Sequence, residues 1–135
     1  MKVFTNGCFD VLHLGHIQLL EFCASFGKVI VGLNSDDSVR RLKGTSRPIN
    51  SVDARKKILE SVKYVHEVHI FEEDTPYELI KSVKPNLIVK GGDYKIEEVV
   101  GNDLCDVIIF DTVVGYSSTK LIQRTSKILT AEDQD

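Results

Sequence analysis

The segment "GCFDVLHLGH", Gly7 to His16, carries two histidines three residues apart, two glycines and one cysteine. Positions 13 and 16 share one helix face if a helix starts there. Gly7 permits a sharp turn, and Gly15 permits close approach of backbone or ligand. A helix N-terminus offers free N–H groups that attract phosphate, and two imidazoles add four ring nitrogens able to donate hydrogen bonds. Such a set suits a phosphoryl group gaining charge in a transition state. It matches neither a P-loop nor a GxGxxG dinucleotide turn. A metal reading has only Asp10 as a third ligand, which makes a weak zinc site. On this segment alone, plain surface histidines remain an open alternative.

Two further segments have the same character. "GYSSTK" (115–120) brings Gly115, Ser117, Ser118 and Thr119 to another expected helix start. Lys120 there is unfavourable beside the positive end of the dipole unless an anion is bound. An ordinary serine cap is the simpler reading, but it leaves the lysine unexplained. "KGGDY" puts Lys90 at a strand end, with Gly91 and Asp93 in the turn behind it. Backbone without side chains can lie against a flat base or a ribose there, and the carboxylate can accept from a hydroxyl. In "RRLKGTSR", Lys43 and Arg47 lie in or beside a Gly- and Pro-containing loop that could fold over a phosphate as a lid. His66 and His69 have an odd separation on an expected strand, so they point to opposite faces and are rejected as metal ligands.

These residues need a frame. Strands are expected at 2–6, 28–34, 67–71, 86–90 and 106–111, and helices at 15–26, 35–42, 52–62, after Thr75, and within 114–129. Asn50 or Ser51 should cap the third helix, and Thr75 should cap the fourth, with Pro76 first in the helix and Glu78 completing a capping box. Pro85 should end that helix. Five strands alternating with helices, without a hairpin signal, imply an open parallel α/β sheet with right-handed crossovers. A Rossmann-like, doubly wound arrangement of the five strands in the order 3-2-1-4-5 is expected. Ligands bind beyond the carboxyl ends of such strands, where the unusual loops fall. One domain over 1–130 with a frayed acidic tail at 131–135 is expected.

Bulk properties exclude some classes. The 135 residues are 42% hydrophobic and 27% charged, with a net charge of −3. That acidic balance gives no electrostatic reason to expect a nucleic-acid partner. No apolar run is long enough to span a bilayer, and no leader is expected ahead of a first strand that starts so close to Met1. Cys8, Cys23 and Cys105 form no CxxC pair, so a reduced, cytoplasmic setting is expected.

Together the loops resemble a known family. "GCFDVLHLGH" is similar to the His-x-Gly-His signature of the nucleotidylyltransferase superfamily, and "GYSSTK" to its second, Ser/Thr-rich signature. "RPIN", "FEEDTPYELI" and "LIVKGGDYKIEEVVG" closely resemble the adenylyltransferase domain of bifunctional bacterial heptose enzymes, which make ADP-glycero-manno-heptose for lipopolysaccharide. The resemblance covers about residues 3–125. It implies transfer of a nucleoside monophosphate from ATP (or CTP) to a sugar or polyol phosphate, with Mg²⁺ and release of pyrophosphate. By the same resemblance His13 and His16 touch the triphosphate near the α-phosphoryl, and Lys43 binds phosphate. Gly7, Cys8 and Phe9 contact nucleotide through the backbone, and Ser117, Ser118 and Thr119 hold the β/γ end. Lys90, Gly91 and Asp93 lie by the nucleotide or sugar.

Two departures matter. Val113 and Val114 stand where glycerol-phosphate cytidylyltransferases have Arg-Thr, which disfavours the cytidylyl reading, and the stretch before "DVIIF" is shorter than in the heptose enzymes. The sugar-kinase domain of those enzymes has no counterpart in these residues, so the acceptor's phosphate is expected to be made elsewhere. The resemblance also implies a homodimer. A non-catalytic nucleotide-binding module remains as a rival; it would bind without turnover.

Overall fold

The computed structural model describes residues 1–111. Five parallel strands form one sheet in the order β3-β2-β1-β4-β5, as expected. They are β1 (Lys2–Gly7), β2 (Lys28–Asn34), β3 (Val65–Phe71), β4 (Leu87–Gly91) and β5 (Asp106–Phe110). The helices are α1 (Leu14–Ala24), α2 (Asp36–Lys43), α3 (Val52–Glu60) and α4 (Tyr77–Val83), with a short 3₁₀ turn at Ile96–Glu98. The expected last helix and the acidic tail lie outside the described residues.

Both faces of the sheet are covered, which is why β2 is a nearly unbroken apolar run. Alternate residues go to opposite sides. Val3, Val29, Val31 and Val89 pack with Leu19, Leu20 and Cys23 of α1 and Leu59 of α3. Phe4, Ile30 and Ile88 pack with Ile80 of α4 and with Val99. In-register pairing of β1 with β2 and β4 brings the ends of these strands level, so the loops after them meet. Gly32 is required by this packing, because a Cβ there would sit 2.6 Å from the Phe4 ring.

Most element ends shift by one or two residues from expectation, and one cap is different. Ser51 caps α3, its hydroxyl accepting from Ala54 N–H at 3.3 Å. Thr75 does not cap α4, and the expected capping box is not formed. Pro76 is the cap residue, and its carbonyl accepts from Ile80 N–H at 2.9 Å. The preceding turn is held from outside instead: Arg41 Nε donates to Asp74 at 2.9 Å, and Ser38 Oγ to the Glu73 carbonyl at 3.1 Å. Lys84, left-handed at φ 54°, closes α4 before Pro85. Among the described residues no helix is long and apolar enough to cross a membrane.

Candidate active site

A cavity of about 540 Å³ opens beyond the carboxyl ends of β1 and β4. Gly7, Cys8 and Phe9 line it from the end of β1 and the loop behind it, and His13, Gly15 and His16 from the start of α1. Lys43 and Arg47 reach it from the end of α2 and the following loop, and Lys90, Gly91 and Asp93 from the end of β4. Every sequence-predicted site residue within the described part therefore lies on one cavity. Gly115, Ser117, Ser118 and Thr119 lie outside the described residues. His66 and His69 are elsewhere, on the edge strand β3, with His69 3.2 Å from Glu67.

The two histidines build the helix start themselves. His13 is the cap residue, and its Nδ1 accepts from Gly15 N–H at 3.1 Å. His13 N–H in turn donates to His16 Nδ1 at 3.3 Å. This is a capping box made from imidazoles instead of the usual hydroxyl and carboxylate. It corrects the expectation of four donor nitrogens. Both Nδ1 atoms are spent as acceptors, so each neutral ring carries its proton on Nε2. The rings stack with centroids 3.9 Å apart, and Phe9 lies against His16 at 5.1 Å. Burial pushes the His16 pKa down to about 3, helped by the charge of Lys43 and, once His13 is protonated, by repulsion from its ring. Burial also lowers that of His13. Both rings are therefore neutral donors at neutral pH.

Asp10 is not a metal ligand. Its buried carboxylate accepts from Ile49 N–H and Asn50 N–H, and from Arg47 Nε at 2.8 Å. Burial works to raise its pKa, but the N–H groups of Asn50 and Ile49 together with Arg47 outweigh it and hold the carboxyl below its usual value. Arg47 is therefore paired with Asp10 and does not extend freely from the loop. It anchors the 44–50 loop to the β1 loop, because a guanidinium only 10% exposed needs a paired carboxylate. Asn50 adds a second tie, its amide donating to the Asp10 carbonyl at 2.8 Å.

Lys90 is half-buried, and its desolvation lowers its pKa; its ammonium lies 5.0 Å over the Tyr94 ring. Burial raises the Cys8 pKa against the pull of Lys43, Arg55 and Arg47, so the thiol stays protonated and is no nucleophile. Phe9 is held at φ 45°, a left-handed conformation that costs a bulky residue roughly 1–3 kcal/mol.

Two residues escaped the sequence reading. Tyr94 lines the cavity beside Lys90. Arg55 does not line the cavity and is 1% exposed. It donates to the Cys8 and Asn34 carbonyls, both at 2.8 Å, to the Asn50 carbonyl at 3.0 Å, and to Asp36 at 2.8 Å. Its signal was present: Val52, Arg55 and Leu59 recur at helical spacing, so an arginine occupies the inward stripe of α3.

The chain is similar to several known proteins. The bifunctional protein HldE of Nitratiruptor sp. is 57% identical over 124 residues, covering 90% of this chain and 27% of that protein. HldE of Aliarcobacter butzleri is 55% identical over 124 residues, again 90% of this chain and 26% of its own length. The chain thus spans about a quarter of the length of the curated relatives it matches. A solved structure, the lipopolysaccharide core biosynthesis protein from Thermoplasma volcanium GSS1, superposes with a TM-score of 0.69 at 26% identity, covering 84% of this chain and 96% of that one. The family model described as cytidylyltransferase-like matches residues 4–127, nearly the whole chain, and with that extent of match the chain belongs to the cytidylyltransferase-like family.

Proposed function

We propose that this chain is a nucleotidylyltransferase that transfers AMP from ATP to a sugar 1-phosphate, such as glycero-manno-heptose 1-phosphate, and releases pyrophosphate. One observation carries the reading: two imidazoles with Nε2 protons and the cations Lys43 and Lys90 converge on one cavity at the strand ends. The high identity to HldE proteins supports the heptose class of acceptor.

The chemistry asks little beyond what this cavity holds. A sugar phosphate is largely a dianion near neutrality, since its second pKa is about 6. Its oxygen attacks the α-phosphorus without a general base, and the bond to the pyrophosphate oxygen breaks. The chain must hold two anions in line and stabilise charge spreading over the α-phosphoryl and the leaving group. His13 and His16 supply preorganised neutral donors, and Lys43 and Lys90 supply positive charge. In this reading Asp93 and the Gly91 backbone, which line the cavity, contact the ribose or the base, and Arg47 fixes one wall.

Among the described residues no three His, Cys, Asp or Glu converge to cage a cation. Mg²⁺ would enter with the triphosphate, neutralising its charge without a dedicated protein cage. The cytoplasm, where nucleoside triphosphates and sugar phosphates are available, is the proposed setting; a homodimer rests on the family resemblance alone.

The test is a panel of ATP, CTP, GTP and UTP against heptose, glycerol and ribitol phosphates, with pyrophosphate detection. Turnover with ATP and heptose 1-phosphate is expected. Turnover with CTP and a polyol phosphate alone, or nucleotide binding without any turnover, overturns the reading.

A further inference from the structure

We infer that Arg55, which does not line the cavity, is a positioning residue that aims the Phe9 N–H at the nucleotide's phosphates. The inference rests on the proposed nucleotidyl transfer and concerns how that site is held.

Arg55, outside the cavity lining, gives the Cys8 carbonyl a charged donor at 2.8 Å. The Cys8–Phe9 peptide is trans, so its N–H points opposite to its carbonyl, away from Arg55. Cys8 and Phe9 both line the cavity, and the Phe9 N–H makes no hydrogen bond among the described residues. An amide at a cavity wall, unused and directed away from the core, is a donor for an anionic oxygen. The left-handed φ of Phe9 shows that this peptide plane is held against its local preference. Phe9 packs between Gly7 and His16, where a Cβ on Gly7 would come 3.1 Å from its ring, so the side chain alone has little room to relax.

Arg55 also fixes what surrounds that peptide. The same guanidinium holds the Asn34 carbonyl at the end of β2, the Asn50 carbonyl in the loop that clamps Asp10, and the Asp36 carboxylate at the start of α2. All three of its nitrogens are engaged, in a forked geometry that a lysine cannot reproduce. One side chain thus ties together three loops, two of which, after β1 and after α2, line the cavity.

The test uses the full chain, labelled with ¹⁵N, and two variants. In wild type the Phe9 amide resonance should shift on titration with ATP, and also with pyrophosphate. Arg55→Lys should lose that shift and lose about 10²-fold in kcat/KM for ATP, the scale expected when a donor is misplaced. Leu59→Ala, on the same face of α3 but in the core, should be destabilised while keeping a kcat/KM close to wild type at temperatures where it is folded. A Phe9 amide unmoved by saturating ATP while the Gly91 amide shifts would overturn the inference. So would a folded Arg55→Lys protein with wild-type kcat/KM, or losses in the two variants that simply track their stability. If Arg55→Lys does not fold, the wild-type amide titration decides. If wild type shows no turnover with any acceptor, the proposed function fails, and the titrations with ATP and pyrophosphate still decide the inference.

Discussion

At the scale of single residues, the histidines have two duties that separate by nitrogen. Nδ1 of each builds the helix start, and Nε2 of each carries the donor proton. His16→Ala should lower turnover by about 10²–10³, the usual loss for one preorganised donor, with the fold retained by circular dichroism. Near-normal turnover in the folded variant would remove His16 from the site. The same ring makes a pH prediction. In the unfolded chain His16 takes a proton below about 6.5, whereas in the fold it does so only near a pKa of about 3. The unfolded state binds more protons between these values, so stability is full above the window and falls as pH falls through it. By pH 5 the loss attributable to His16 should be roughly 2 kcal/mol. Urea unfolding of wild type and His16→Gln at pH 7 and pH 5 should show the variant losing less of its stability.

At the scale of elements, the loops after β1 and α2 are bolted to each other through Asp10. Asp10→Asn leaves the Arg47 guanidinium buried without its counter-charge, and breaking such a pair costs about 3–5 kcal/mol. Hydrogen exchange should then speed up at Ile49 and Asn50, whose amides lose their carboxylate acceptor. In the sheet, Gly32→Ala pushes a methyl into the Phe4 ring and should cost about 1–3 kcal/mol, read as a lowered Tm. The strands themselves were legible because buried parallel strands need unbroken apolar runs such as "KVIVGLN". The start of α4 was not, because what arranges the turn before it is Arg41 and Ser38 of α2, a contact made only after folding. The Asp10–Arg47 pair was not legible for a similar reason. The two lie far apart in sequence, and only the fold brings them within 2.8 Å.

At the scale of the whole molecule, the doubly wound sheet gathers chemistry that the sequence scatters. Lys43 and Lys90 are 47 positions apart in the numbering, yet they face one cavity because β1 sits at the centre of the sheet, with β2 and β4 on either side. That gathering was foreseeable from the rule that ligands bind at strand ends, and the predicted residues of the described part do meet there. Arg55 was not foreseen, since a buried arginine looks like a solvated one until its carbonyl partners are placed around it. In the proposed reaction the α-phosphoryl moves, and the β- and γ-phosphoryls leave together. ATP labelled at its α-phosphorus, incubated with the chain, Mg²⁺ and heptose 1-phosphate, tests this directly. The label should appear in an ADP-sugar, with one unlabelled pyrophosphate released per labelled product. Label found only in AMP or ADP, or left entirely in ATP, would contradict the account.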